Sequence, residues 1–275
     1  MEPGSTPIAH VCVTCGVQMQ ATVGPPAHCP ICEDERQYVG HGGQRWTTPA
    51  ELRATHAMTL APAEPGLQQI VVRPRFAIGQ RPLLVQTSDG NILWDCTSVL
   101  TDQIMSAITA IGGISAIAIS HPHFAGAMVD WSHAFGGAPV FVPSVDRPHV
   151  MRTDPVLQFW DGDCLPLIDG VSIIRCGGHF DGSSVLHWPA GAEGRGVLLT
   201  GDTIAVGDDR RSVSVMRSYP NLIPIGTSAL GQIESALDGL AFDRIYAGWE
   251  QDVVDHDARA IVARSFARYR AAITA

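Results

Sequence analysis

A chain of 275 residues, 45% hydrophobic and 16% charged, has material for one large core or two ordinary ones, which excludes a disordered segment and a small disulfide scaffold. Its formal charge of −9 opposes general binding to nucleic acid or anionic membranes. No charged leader runs into an apolar stretch at the start, and no apolar run approaches the ~20 residues that span a bilayer, so a cytoplasmic protein without a membrane partner is expected.

The first predicted unit covers residues 1–47. Cys12-Val-Thr-Cys15 and Cys29-Pro-Ile-Cys32 are matching knuckles whose four thiolates suit one tetrahedral zinc. The segment is too small for a core of its own, so a structural metal would supply much of its folding free energy. It resembles a zinc ribbon, and its Cys-Pro-x-Cys half is similar to rubredoxin. A redox dithiol, chance pairing and iron are the competing readings. Cys96, Cys164 and Cys176 read as small buried apolar residues.

Gly40-His41-Gly42-Gly43 is a flexible joint into a second unit, residues 48–275. Thr48-Pro49-Ala-Glu51 opens a short helix with a capping box. Gln69 to Phe76, Pro82 to Gln86 and Asn91 to Asp95 read as strands, the last two joined at Asp89-Gly90 into a hairpin. A helix with Ile104, Met105, Ile108 and Ile111 on one face precedes a buried strand from Ile114 to Ser120. A helix near Ala127 to Phe135 and a strand over Pro139 to Val142 follow, an order that predicts parallel strands covered by helices. Strands at Val156 to Trp160, Val171 to Arg175, Ser184 to Trp188 and Gly196 to Leu199 come next. A long, arginine-rich stretch with little periodicity joins Asp202 to Thr227. The chain closes with a helix carrying Leu230, Ile233, Leu237 and Leu240, a strand from Arg244 to Ala247, and a helix that turns Ile261, Val262, Phe266 and Tyr269 inward.

Three turns share one form, an apolar run that ends in metal-grade ligands: Ser120-His121-Pro-His123, Gly177-Gly178-His179 and Thr200-Gly201-Asp202. Loops at the carboxyl ends of strands are where α/β architectures collect ligands, and the three turns are expected to meet at one metal ion.

With Trp94-Asp95-Cys96 before them and Gly182-Ser183 between, these motifs resemble the metallo-β-lactamase superfamily from about Gln69 onward. The resemblance implies a mixed α/β fold: a four-layer αββα sandwich of two β-sheets with helices outside and a metal site at one edge, here with a small N-terminal zinc ribbon attached. Carried over by position, His121, His123 and His179 would hold the first metal and Asp202 would be the bridging aspartate. Asp95 would be the carboxylate behind the histidine loop. The family pattern His-x-His-x-Asp-His ends here in Ala125 and Gly126, and Ala247-Gly248-Trp249-Glu250 stands where a last histidine is expected, with His256 several residues on. A mononuclear site of three histidines, with Asp202 as fourth ligand or catalytic base, is therefore expected. Asp181 and Tyr219 are more distant candidates for the base.

Arg210, Arg211, Arg217 and Tyr219 follow Asp202; Arg217 and Tyr219 are candidate contacts for an anionic substrate. His41 is a candidate neighbour of the site, and Tyr38 and Trp46 are either packing residues or an aromatic wall. Three functions compete. One is a hydrolase acting on a small ester, amide, lactone or phosphoester with one zinc; another is a mononuclear non-haem iron oxygenase. The third is a non-catalytic binding protein acting through its ribbon. A small-molecule substrate and a homo-oligomer are expected, and a nucleic-acid partner is not.

Overall fold

The computed structural model describes residues 6–274. Two β-sheets face one another. The first contains β1 (Ala57–Glu64), β2 (Leu67–Arg73), β3 (Leu83–Thr87), β4 (Gly90–Trp94), β5 (Ala116–Ala118), β6 (Val140–Pro143) and β7 (Leu157–Trp160), paired in that order. β1 to β4 run antiparallel and β4 to β7 parallel. The second sheet contains β8 (Cys164–Pro166), β9 (Ser172–Arg175), β10 (Ser184–Trp188), β11 (Val197–Gly201), β12 (Arg244–Ala247) and β13 (Val253–Val254), also in order. Only β11 and β12 pair in parallel there.

Alternation along the strands builds three layers of core. Leu83, Ile92, Trp94, Ala116 and Ala118 meet Ile173, Leu186, Val197 and Leu199 between the sheets. The opposite faces carry Leu84, Leu93, Ile117 and Val140 outward from the first sheet, and Ile174, Val185, Leu198 and Ile245 outward from the second. Five helices serve the fold: α1 (Pro49–Thr55), α2 (Asp102–Thr109), α3 (Met128–Ala134), α4 (Thr227–Leu237) and α5 (Ala258–Thr274). Leu52 from α1, Ile104 and Ile108 from α2 and Trp131 from α3 cover the first sheet; Leu230 and Ile233 from α4 and Ile261 and Phe266 from α5 cover the second. This is the αββα sandwich. β5 reads as an unbroken apolar run because both its faces are covered.

The capping box at Thr48 and Glu51 is present in both directions, at 3.2 and 3.0 Å. Five expectations are corrected. β1, β8 and β13 are additional strands, all three at sheet edges, where one side needs no apolar partner. The stretch after Asp202 is folded as two small strand pairs, Ala205–Val206 with Val213–Ser214 and Met216–Ser218 with Ile223–Pro224. Val206, Val213 and Val215 anchor it in the core. Cys164 is exposed, whereas Cys96 and Cys176 are buried.

The N-terminal segment pairs Val11–Cys12 with Trp46–Thr47 and packs Val17, Met19, Ile31 and the four cysteines into a cluster of their own. It is docked on the sandwich. Gln18 N–H donates to the Gly126 carbonyl (3.1 Å), Gln20 N–H to Met151 (2.9 Å), and Ser98 Oγ to the Gly16 carbonyl.

Candidate metal centre

His121 and His123 stand on the short 3-10 turn Pro122–Phe124 beyond β5. Asp95, at φ +62° just past β4, accepts the Ser120 N–H at 2.7 Å, and Ser120 Oγ lies 2.8 Å from His121 Nδ1. A fully buried carboxylate thus ties the end of β4 to the histidine turn. His179 follows the glycine turn after β9, and its Nδ1 lies 3.1 Å from the Met216 carbonyl. That acceptor demands a proton on Nδ1 and leaves the lone pair on Nε2. Asp202 follows β11 through Gly201, at φ +50°, where a Cβ would come within 2.5 Å of Ser120 Oγ. Glycine lets β11 end against the histidine turn.

The four side chains bring one ligand atom each within 4.8 Å of the others. His123 Nδ1 and His179 Nε2 are 3.3 Å apart; Asp202 Oδ2 is 3.6 Å from His121 Nε2 and 3.9 Å from His179 Nε2. Nitrogens bound tetrahedrally at zinc distances are about 3.3 Å apart. His121 Nε2 and Asp202 Oδ1 are buried without a hydrogen-bond partner, a costly arrangement that a cation would relieve. Burial pushes His121 down to about 3 and His179 down to about 4, with His123 also lowered, so all three are neutral donors at pH 7. Burial pushes Asp202 up to about 6, against the pull of His179. The set fits one metal ion.

The ribbon cysteines form a second set, also within 4.8 Å, with Sγ–Sγ distances of 3.5 Å (Cys12–Cys32) and 3.7 Å (Cys15–Cys29). Sulfurs around a tetrahedral zinc are about 3.8 Å apart. Hydrogen bonds from Cys15, Cys29 and Cys32 hold the Cys12 thiol far below its ordinary range.

The positions that would serve a second ion supply no donor. Gly126 is left-handed at φ +49°, and a Cβ there would lie 2.7 Å from the Thr97 carbonyl carbon and 2.8 Å from the Cys96 oxygen. Its own carbonyl is taken by the ribbon. Gly248 does come close, since a Cβ there would be 3.4 Å from Asp202 Oδ1, but the ring of Phe124 fills that space at 2.9 Å. His256 is exposed and bonded to Asp257 at 2.9 Å.

A cleft of about 260 Å³ opens over His123, His179 and Asp202. Thr14, Gln37 and Tyr38 of the ribbon line it together with Arg75, Tyr219 and Trp249 of the sandwich. Tyr219 is placed there because its hydroxyl donates to the Asp202 carbonyl at 3.1 Å and its ring lies 5.7 Å from that of His179. Arg217 does not line this cleft: it is ion-paired with Glu35 of the ribbon. Arg210, Arg211, Asp181 and His41 are exposed and outside the lining, and Trp46 packs inside the ribbon. Composition after Asp202 shows charge but not direction, which is why the arginines there point elsewhere.

Arg36, Phe180, Arg75 and Trp249 escaped the sequence reading. Arg36 makes two side-chain bonds to Asp34 (2.6 and 2.7 Å) and lies 3.8 Å over the Phe180 ring, which also meets the rings of His123 (4.8 Å), His179 (5.1 Å), His149 (5.1 Å) and His121 (5.9 Å). Only Phe180 carried a signal, as an aromatic residue adjoining a candidate ligand.

No protein-family model matches the chain. Its fold is shared with the crystal structures of VMB-1 (TM-score 0.58, 15% identity, 78% of this chain and 97% of that one) and of the DIM-1 metallo-β-lactamase exposed to ceftazidime (0.57, 14%, 78% and 97%). The mono-zinc form of the metallo-β-lactamase FIM-1 from Pseudomonas aeruginosa gives 0.56 at 12% identity, over 79% and 95%. The uncharacterized protein YmaE of Bacillus subtilis (strain 168) is 44% identical over 262 residues, which are 94% of this chain and 95% of YmaE, so its match includes at least part of the ribbon segment. The chain therefore belongs to the family of YmaE, built on the metallo-β-lactamase fold.

Proposed function

We propose that this protein is a metal-dependent hydrolase that uses a single zinc ion on His121, His123, His179 and Asp202, with a structural zinc on Cys12, Cys15, Cys29 and Cys32. The observation that carries the reading is the set of three neutral histidines and one carboxylate, all buried and three of them with an unpaired atom, at the base of an open cleft. A zinc ion in such a set lowers the pKa of water to about 7 and polarises a carbonyl or phosphoryl oxygen. The protein's part is positional and electrostatic. Asp202 directs Oδ2 at the imidazoles; whichever of its two oxygens the ion left free would be the one to take a proton from the attacking water and return it to the leaving group. The Met216 and Ser120 contacts hold His179 and His121 in their ligand orientation. The FIM-1 structure shows, for that protein, one zinc on this fold.

Docking of the ribbon beside the cleft favours catalysis over a binding role, because three of its residues line the cleft. Elemental analysis of the purified protein beside Cys12→Ser/Cys15→Ser and His121→Ala tests the reading. Two zinc per wild-type chain and one in each variant are expected, with ester or phosphoester turnover lost about 100-fold or more in His121→Ala. Stoichiometric iron retained by the cysteine variant would assign the site to oxygen chemistry. Unchanged turnover in His121→Ala would end the hydrolase reading.

A further inference from the structure

Behind Trp249 the cleft adjoins a second, polar pocket of about 180 Å³. The two share Arg75 and Trp249 in their linings, which places this pocket directly beside the cleft. Three guanidiniums, from Arg73, Arg75 and Arg81, line this pocket against one carboxylate, Glu250. Glu250 is already engaged by Arg73 at 2.7 Å. Arg81 is 5% exposed and gives its donors to neutral acceptors: the Ala247 carbonyl (3.0 Å), the Glu250 carbonyl (3.2 Å) and Gln69 Oε1 (3.2 Å). Arg75 bonds to the Ile78 carbonyl and stands exposed at the junction of the two spaces. Among the described residues neither Arg75 nor Arg81 has an ion-pair partner. In a chain of net charge −9 this is a local excess of positive charge beside the candidate active site, offset only in part by Glu250 and by Asp252 near Arg81.

We propose that this pocket is an anion subsite, and that the substrate carries, apart from the bond cleaved at the metal centre, an oxyanion (carboxylate or phosphate) that seats on Arg75 within the field of Arg81. Arg75 is the direct contact because it is exposed and, unlike the exposed Arg73, is not engaged by Glu250; Arg81, buried with its Nη atoms bonded to neutral acceptors and its Nε unpartnered, supplies charge from behind. A guanidinium offers an oxyanion two parallel donors, which fixes orientation as well as charge. The proposal rests on the hydrolase reading and fixes which hydrolysable compounds the cleft selects.

The test uses the zinc-loaded full chain and two matched probes, 4-nitrophenyl hydrogen succinate and its neutral methyl ester. Wild type should favour the anionic ester in kcat/KM by about 10- to 100-fold, the range for a hydrogen bond to a charged group. Arg75→Met should bring the ratio near one, Arg75→Lys should keep part of it, and Arg75→Glu should invert it. Zinc content and melting temperature report on folding for each variant. A wild-type ratio near one, or a ratio that Arg75→Met leaves in place, overturns the subsite. Calorimetric binding of succinate and of inorganic phosphate is measured in parallel, with His121→Ala as background to remove turnover. Tenfold weaker binding of either anion on adding Arg75→Met supports the subsite and shows which oxyanion it prefers; equal binding of both overturns it. If neither ester is turned over while Arg75-dependent anion binding persists, the hydrolase reading fails and the subsite stands. Turnover of both esters without discrimination gives the reverse.

Discussion

Gly126 decides how many metals the site can hold. Its left-handed backbone and its contact with the Cys96–Thr97 peptide leave no room for a side chain, so the missing histidine is more than a substitution. Gly126→His is expected to cost about 2–4 kcal/mol through strain and overpacking and to bind no additional metal, as checked by urea denaturation and zinc analysis. Asp146 gives a pH-dependent counterpart. Its carboxylate is 2% exposed, accepts one bond from Gly182 N–H (3.1 Å) and leaves Oδ2 unpartnered; burial pushes it up to about 6 from an ordinary 3.8. A raised acid contributes its stability below pH 4 and loses it as pH rises through 6. Asp146→Asn, which does not ionise, should therefore gain on wild type between pH 4 and pH 7, by on the order of 3 kcal/mol at most. Denaturant midpoints at pH 4.5 and 7.5 check the sign; a gap that shrinks with pH refutes it.

At the level of elements, the ribbon and the Met216–Ser218 strand hold each other. Asn221 Nδ2 donates to the Glu35 and Gln37 carbonyls, both at 2.9 Å, and Ser218 Oγ donates to the Arg36 carbonyl at 3.1 Å. Met216 in turn orients His179, and Arg36 presses on Phe180 from the ribbon side. The ribbon's own strand pair is two residues long, so a metal on its four cysteines would be what keeps this geometry. Cys12→Ser/Cys15→Ser should retain the histidine-site zinc yet lose about tenfold or more in kcat/KM, with faster amide exchange over residues 216–221. Full activity in a variant that has lost the ribbon zinc would show that the ribbon is a passenger.

Across the whole molecule, the two sheets are pinned together by Glu64 of the edge strand β1. Its side chain, 5% exposed, is ion-paired with Arg244 of β12 and accepts from Tyr246 Oη and Ala192 N–H, both at 2.8 Å. Glu64→Ala strands a largely buried guanidinium and should lower unfolding free energy by about 3–5 kcal/mol, measured by denaturant melts. Double replacement with apolar residues of similar volume should recover much of that loss.

The sandwich and the two clusters of candidate ligands were legible in the sequence because each rests on local chemistry. Period-two burial marks most of the strands, one-sided apolar spacing marks α2, α4 and α5, and His121, His123, His179, Asp202 and the four cysteines sit in turns whose spacing constrains them. β1, β8 and β13 were not legible, since edge strands are under weak demand for apolar alternation. The direction of the arginines was also out of reach. Arg217 turns to Glu35 across 182 residues of sequence and Arg75 arrives at the cleft from a loop between β2 and β3. Whether the ribbon hangs free or lines the cleft depends on contacts such as Gln18 to Gly126 and Arg36 to Phe180, which no spacing encodes. Sequence by itself determined the elements and the ligand types, through backbone propensity and burial period; tertiary structure alone decided which charges face the cleft, because that depends on how separate surfaces dock.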